Sequence, residues 1–254
     1  MNTAVKVSTF AKNVATAVII ISVVCYAENL KWISDSVIRL DMAENSVDDQ
    51  FIGCRDTMYK RITEEILPEE LKSNKNFKNI WEKYSTFTDN FKRIIKVYTD
   101  PSSDLYKQFN EAVSSGRGNY VSKFTYKAFH FLLTRAIQKH QVKNCTRVFR
   151  RANVSFDTNV YGHKMRFGRF ASTSLRNDMS HTFGGISCFK VTTCFGANIA
   201  KISVLPDEEE VLIPPFETFK ITNIGKKQMN CSVIYTLRST GTFSKMNCTL
   251  LKKK

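Results

Sequence analysis

The 254-residue sequence lacks the patterns that mark metal sites, repeats and linkers. It has no Cys-x-x-Cys pair, and its four histidines show none of the spacings typical of metal ligands, so we expect no metal. It has no internal repeat and no low-complexity linker. We therefore expect one compact unit with a real hydrophobic core.

Long hydrophobic runs are also missing, apart from one near the start of the chain. Residues 14–24 are almost entirely apolar, follow two lysines and precede a Cys-Tyr-Ala cleavage signal. This pattern predicts a signal peptide over residues 1–27, with an uncleaved membrane anchor as the alternative. Because residues 250–254 are polar and short, we expect a secreted, extracellular protein without a membrane anchor.

Acidic residues are scarce. The sequence has 23 Asp and Glu against 38 Lys and Arg, a net charge of +15 at pH 7. Such a surface favours anionic partners, which include acidic proteins, membrane surfaces and polyanions. Taken by itself, however, this charge is better explained as a solubilising surface with no dedicated ligand. No nucleic-acid-binding motif is present, so we expect no nucleic acid partner.

The cysteines and glycosylation signals fit export. Six cysteines follow the predicted signal peptide: Cys54, Cys145, Cys188, Cys194, Cys231 and Cys248. An even number in an exported chain predicts disulfides. Of the four Asn-x-Ser/Thr signals, only the one at Asn153 has no cysteine in the middle, and we expect a glycan there.

The two halves of the chain after the signal peptide differ in pattern. Apolar residues at helical spacing predict helices over 48–67, 76–98, 105–114 and 120–140, with their aromatic residues in the core. Short β-branched and aromatic runs predict strands at 147–149, 186–193, 199–205, 211–213, 218–224 and 231–237. We therefore predict an α+β fold in one domain, 28–254, with a mainly helical part at 28–143 and a mainly β part at 144–254.

Three stretches of the β part combine residue types that suit one reaction. They are Val-Phe-Arg at 148–150, Phe-Ala-Ser-Thr-Ser-Leu at 170–175 and Glu-Glu-Glu-Val-Leu-Ile-Pro-Pro-Phe-Glu at 208–217. An arginine, a Ser-Thr-Ser and a Glu-x-Glu in this order resemble the signature of the arginine-specific mono-ADP-ribosyltransferases, in particular the vertebrate ecto-enzyme branch. The resemblance covers essentially the whole chain after residue 27. It implies the ADP-ribosyltransferase fold, a helical part packed on a mixed β-sandwich.

The resemblance also implies a reaction and its two carboxylates. The enzyme would transfer ADP-ribose from its co-substrate NAD to arginine side chains of acceptor proteins, releasing nicotinamide without a metal. Glu210 would bind the ribose hydroxyl and stabilise the positive charge of an oxocarbenium-like transition state. Glu208 would orient the acceptor guanidinium and assist its deprotonation. Two residues apart on a predicted strand, both should point to one face. Glu217, beyond the double proline, is interpreted as structural.

Further positions are implied to hold NAD. Arg150 would pair with the pyrophosphate, while Ser172 would hydrogen-bond in the nicotinamide-ribose pocket and brace Glu210. Phe183 would stack on nicotinamide. The backbone after the motif arginine would approach the nicotinamide amide; the family often has glycine there, whereas this chain has Arg151.

The same resemblance implies two disulfides, Cys54 with Cys248 and Cys145 with Cys194. Cys188 and Cys231 are extra to that pattern, and the sequence leaves their state open.

Two other functions stay open at this point. One is an NAD glycohydrolase, in which water replaces the arginine acceptor; Glu208, on the acceptor side, argues against hydrolysis as the sole activity. The other is a catalytically silent secreted binding protein with the same fold, which Arg151 keeps in consideration.

Overall fold

The computed structural model describes residues 37–177 and 184–251. The predicted signal peptide and Phe183 lie outside these ranges. None of the helices within the ranges is long and apolar enough to cross a membrane.

The chain divides into two compact units. In the smaller one, residues 37–39 join Val154–Asp157: Ile38 forms a parallel bridge with Phe156 and donates its N–H to the Ser155 carbonyl at 2.9 Å. The larger unit contains all the helices and strands named below.

The helices occupy the first half of the larger unit. They are α1 Arg55–Arg61, α2 Leu67–Ser73, α3 Lys75–Lys83, α4 Asn90–Tyr98, α5 Leu105–Ser115 and α6 Lys127–Lys139. Their aromatic residues form much of the core, as predicted. Phe109 stacks on Phe129 and on Phe170 with ring centroids 4.2 and 5.4 Å apart, and all three rings are buried.

The first helix differs from its prediction at both ends. The sequence predicts a helix over 48–67 that stops at Pro68, whereas α1 begins at Arg55 and continues through a π-helical turn, Ile62–Ile66, into α2. Proline has no N–H to donate to the carbonyl four residues earlier. The wider π turn accommodates this missing bond and lets the helix pass Pro68.

Polar caps set the other helix boundaries. The pattern at 76–98 predicts one helix, but the side chains of Asn74 and Asp89 accept backbone N–H bonds at the starts of α3 and α4, which separates them. The helix predicted at 120–140 begins only with α6, where the buried Glu70 carboxylate accepts two N–H bonds at 2.9 and 3.2 Å. Capping side chains therefore decide where these helices start.

The strands form one continuous mixed sheet. They are β1 Thr146–Ala152, β2 Lys164–Met165, β3 Ala171–Ser174, β4 Ser187–Thr193, β5 Ala197–Asn198, β6 Glu210–Ile213, β7 Glu217–Gln228 and β8 Cys231–Thr242. Their order in space is β2-β7-β8-β4-β1-β3-β6-β5. β4 and β8 are parallel, and the other neighbouring pairs are antiparallel. A helical part followed by a mixed β part confirms the predicted α+β class.

The strand predicted at 199–205 is a turn. The Ser203 N–H donates to the Ile199 carbonyl at 2.7 Å, and the Ser203 carbonyl accepts from Lys96 Nζ on α4 at 3.2 Å. The Val204 N–H donates to the hydroxyl of Thr99 at 3.1 Å. These bonds satisfy the backbone groups that a strand would use for pairing.

Three disulfides join described residues: Cys54–Cys248, Cys145–Cys194 and Cys188–Cys231. The first two are the pairs that the resemblance implies, and the third joins the cysteines that the sequence leaves open. Cys54–Cys248 ties the start of α1 to the C-terminal segment across a sequence separation of 194 residues.

Two buried carboxylates hold the same C-terminal segment. Asp48 pairs with Arg166 at 2.6 Å, with both side chains fully buried, and accepts backbone N–H bonds from Lys245 and Met246 at 3.0 and 3.1 Å. Asp49 accepts two further backbone N–H bonds from the residues that follow at 248 and 249. The additional hydrogen bonds compensate the buried charges of Asp48 and Asp49. They also attach the C-terminal segment to residues 48–49.

Candidate active site

Three neighbouring strands bring the predicted arginine, serine and glutamate together. β1 carries Arg150, β3 carries Ser172 and Glu210 opens β6. β3 lies between the other two, with Ser174 opposite Phe149 on one side and opposite Glu210 on the other. Residues that are far apart in sequence are thereby placed on adjacent strands.

Arg150 and Ser172 are in direct contact. Nη1 of Arg150 donates to the Ser172 carbonyl at 2.8 Å, and both residues are partly buried. Burial lowers the pKa of Arg150, while the nearby Tyr98 and Glu210 act in the opposite direction. An arginine remains cationic in such a setting, so the site holds a positive charge whose position is set by the backbone of β3.

Glu210 is the buried carboxylate of the site. Its side chain is nearly inaccessible, and burial raises its pKa to about 7. A hydrogen bond with the Ser172 side chain and the charge of Arg150 favour ionisation, whereas the negative charge of Glu208 opposes it. The carboxylate is therefore poised to change its charge near neutral pH.

Glu208 does not lie on the strand that the sequence predicts for it. It ends a 3₁₀ turn, Pro206–Glu208, and the exposed Glu209 that follows has a left-handed backbone with φ of 45°. Simple strand alternation is thus the wrong reason to place Glu208 beside Glu210. The turn nevertheless keeps it close enough to act on the pKa of Glu210, and partial burial raises the pKa of Glu208 itself.

Tyr98 is a site residue that sequence reasoning missed. Its hydroxyl donates to the Phe170 carbonyl at 3.1 Å and accepts from Asn110 at 2.9 Å. The ring is buried, and burial together with the negative charge of Glu210 raises its pKa to about 12. The Ser172 side chain acts in the opposite direction and lowers the pKa of both Tyr98 and Glu210, which places it near both groups. The helical spacing of α4 marks Tyr98 only as core, so no sequence signal distinguished it.

Comparison with known proteins agrees with this geometry. The family model of NAD:arginine ADP-ribosyltransferases matches residues 40–245. The chain belongs to this family. The GPI-linked NAD(P)(+)--arginine ADP-ribosyltransferase 1 of Mus musculus is 35% identical over 243 residues, which cover 85% of this chain and 74% of the relative. The ecto-ADP-ribosyltransferase 5 of Homo sapiens is 35% identical over 240 residues, 85% of this chain and 81% of the relative.

Solved structures match this ADP-ribosyltransferase over most of its length. The eukaryotic mono-ADP-ribosyltransferase ART2.2 has a TM-score of 0.71 and 31% identity, covering 83% of this chain and 98% of its own. A mutant of ART2.2 in complex with NAD has a TM-score of 0.70 and 29% identity, with the same coverage of both chains.

In this ADP-ribosyltransferase, the Arg151 side chain turns away from the face that carries Arg150. Successive residues of a strand point to opposite faces. The buried Arg151 guanidinium donates to the Met229 carbonyl at 2.7 Å and to the Gly184 carbonyl at 3.4 Å. Its side chain therefore packs at the turn between β7 and β8.

Glu217 has the structural position that its sequence context indicates. It is fully buried, and its carboxylate accepts backbone N–H bonds from Cys194 and Phe195 at 2.7 and 3.2 Å and the Thr193 hydroxyl at 2.6 Å. These bonds hold the turn after β4. Within residues 37–177 and 184–251, no group of three or more His, Cys, Asp and Glu side chains could hold a metal ion.

Proposed function

We propose that this chain transfers ADP-ribose from NAD to arginine side chains of acceptor proteins and releases nicotinamide. The buried Glu210, beside Arg150 and Ser172 on adjacent strands, is the observation that carries the proposal. Family membership and relatives named as arginine ADP-ribosyltransferases support the same reaction.

Arg150 would hold the pyrophosphate of NAD. A guanidinium presents a rigid fork of N–H donors that suits phosphate oxygens. In this chain Nη1 of Arg150 donates to the Ser172 carbonyl. This bond would fix the orientation of the guanidinium and leave its other N–H donors for the phosphates.

Glu210 would bind the ribose and stabilise the positive charge that develops as the bond to nicotinamide breaks. A carboxylate in a water-poor site does this more effectively than one in water, because the surrounding dielectric is low. Ser172 and Tyr98 would set its orientation. Since burial raises the pKa of Glu210 to about 7, the ionised form that this role requires predominates only above neutral pH.

Glu208 would hold the acceptor guanidinium and assist its deprotonation. It is partly buried next to Glu210, on a turn that opens the same strand. Burial raises its pKa, which makes it a stronger base than an exposed glutamate.

The decisive experiment measures transfer of labelled ADP-ribose from NAD to agmatine and, in parallel, hydrolysis of NAD to free ADP-ribose. We expect transfer by the oxidised full chain and its loss in Glu210→Gln. Glu208→Gln should depress transfer more than hydrolysis. Hydrolysis without transfer would instead identify a glycohydrolase, and failure to bind NAD in calorimetry would identify a silent binding protein.

We propose that the reaction takes place outside the cell. Three disulfides and the names of the ecto- and GPI-linked relatives support this location. The expected absence of a membrane anchor has no such support, since a relative that is 35% identical is GPI-linked. Release of the protein from cells by a phosphatidylinositol-specific phospholipase would show an anchored form.

A further inference from the structure

Four cationic side chains stand in one line across five neighbouring strands. Lys164 on β2 is opposite Lys220 on β7, and Lys220 is opposite Arg238 on β8. Arg238 is opposite Thr192 on β4, which is opposite Arg147 on β1. Residues directly opposite one another share a face of the sheet. We call Lys164, Lys220, Arg238 and Arg147 the cationic row.

The side chains of the cationic row are exposed, and none of the four forms an ion pair with a described residue. Glu217 is the one acidic residue on these five strands, and it is buried. Like charges directly opposite on a sheet destabilise the pair. An arrangement that costs stability in this way is relieved by a bound anion.

A cavity beside the cationic row supplies neutral hydrogen-bonding groups. Its volume is about 390 Å³. The residues that line it include three cations and three threonines: Arg147, Lys190, Arg238, Thr192, Thr222 and Thr236. Lys190 and its partner Thr236 lie two residues along their strands from the opposed pair Thr192 and Arg238. Because residues two apart on a strand share a face, Lys190 lies on the same face as the cationic row. Cations next to hydroxyls can bind charged and uncharged oxygens of one ligand.

The cationic row is separate from the candidate active site. Arg147 and Arg150 are three residues apart on β1 and therefore point to opposite faces of the sheet. Neutralising the row thus leaves the NAD-binding residues unchanged, and ligand binding can be tested apart from transfer activity.

We propose that the cationic row binds a linear sulfated polysaccharide. Adjacent strands are about 4.8 Å apart, so the row from β2 to β1 extends for about 19 Å. A polyanion lying across the strands would meet a cation at nearly every strand, with threonine hydroxyls available to its sugar oxygens.

Other anionic macromolecules fit the row less well. Amphipathic membrane-bound segments and protein interfaces use apolar or aromatic anchors, and single-stranded nucleic acids stack on aromatic rings. Among the described residues, the exposed aromatic side chains of Tyr161 and Phe243 flank β2 and β8, but no exposed large apolar or aromatic side chain lies within the five strands. Recognition by charge and hydroxyls alone is what a sulfated sugar chain requires.

The test is binding of a size-defined heparin oligosaccharide to the full oxidised chain at physiological salt of about 0.15 M. The triple variant Lys220→Gln, Arg238→Gln, Arg147→Gln should weaken binding by at least about tenfold. It should also reduce the slope of log Kd against log salt by about two, because fewer ions are released. Replacing the same residues by Arg, Lys and Lys keeps the charges and should keep the affinity.

The matched control removes three exposed lysines from the helical part: Lys60→Gln, Lys72→Gln and Lys75→Gln. It lowers the net charge equally and should weaken binding by less than about threefold. Equal losses in both triple variants, or no binding by the unmodified chain, would overturn the proposal. Equally tight, row-dependent binding of phosphatidylserine vesicles or single-stranded RNA would overturn the choice of polysaccharide.

Both triple variants should transfer ADP-ribose to agmatine at the unmodified rate if they fold. If the row variant does not fold, Lys164→Gln with Lys220→Gln gives a milder test on the outer strands β2 and β7. Unchanged heparin affinity in that double variant would also contradict the proposal.

Discussion

Replacing Glu210 with glutamine should abolish transfer and, at pH 8, make the folded protein more stable. Glu210 is only 4% exposed, and burial raises its pKa from 4.5 to about 7. In the unfolded chain the carboxyl regains water and ionises near its ordinary pKa. The folded state therefore binds this proton more tightly, and its stability falls as the pH rises from about 4.5 to 7. The difference corresponds to about 3 kcal/mol at pH 8, which glutamine would remove because it has no charge.

Urea unfolding at two pH values measures this effect. Glu210→Gln should raise the free energy of unfolding by about 3 kcal/mol at pH 8 and by less than about 1 kcal/mol at pH 5, where the folded carboxyl is protonated. Transfer to agmatine should fall to background at both. The control Glu209→Gln removes an exposed neighbouring charge and should change stability by less than about 0.5 kcal/mol. If Glu210→Gln raises the free energy of unfolding equally at both pH values, or does not raise it at pH 8, Glu210 is not a carboxylate that ionises while buried.

Three further variants test buried contacts of the site and of the surrounding fold. Tyr98→Phe leaves two buried hydrogen-bonding groups without their partner, so it should cost about 1–3 kcal/mol in urea unfolding and lower kcat for transfer. Asp48→Asn should cost about 3–5 kcal/mol in the same assay, because Arg166 is left as an unpaired buried charge. Cys54→Ser with Cys248→Ser should cost about 2–5 kcal/mol and lower Tm, since the closed loop is long.

Arg150, Ser172 and Glu210 could be predicted as one site because their motifs, in this order, resemble the family signature. The strand pattern contributes less: the strands predicted at 147–149 and 211–213 lie next to Arg150 and Glu210, and no strand is predicted at Ser172. The structure places all three residues on adjacent strands. Glu208 lies just before the strand predicted at 211–213. Neither Pro206 nor the acidic residues that follow it predict the 3₁₀ turn that the structure has there. Tyr98 extends into the site from helix α4. Helical spacing predicts that its side chain is buried, but it does not predict which residues the buried hydroxyl contacts.

Helix boundaries escaped prediction because distant residues determine some of them. α6 begins where Glu70 of α2 caps it, and that contact spans 58 residues of sequence. The apolar run at 199–205 has strand composition, but Lys96 and Thr99 bind its backbone and hold it as a turn. The local sequence pattern predicts that a helix or strand is present. Hydrogen bonds to distant residues decide where it begins and ends, and sometimes whether it forms at all.

The candidate site contains groups that destabilise the folded state. Glu210 and Arg150 have lost much of their water, and the neighbouring Glu209 adopts a left-handed backbone that non-glycine residues rarely use. Stability comes from other residues, among them the Asp48–Arg166 pair and the Cys54–Cys248 disulfide. Weakening these should therefore reduce the folded fraction without moving the pH at which transfer rises, because that pH is set by the burial of Glu210.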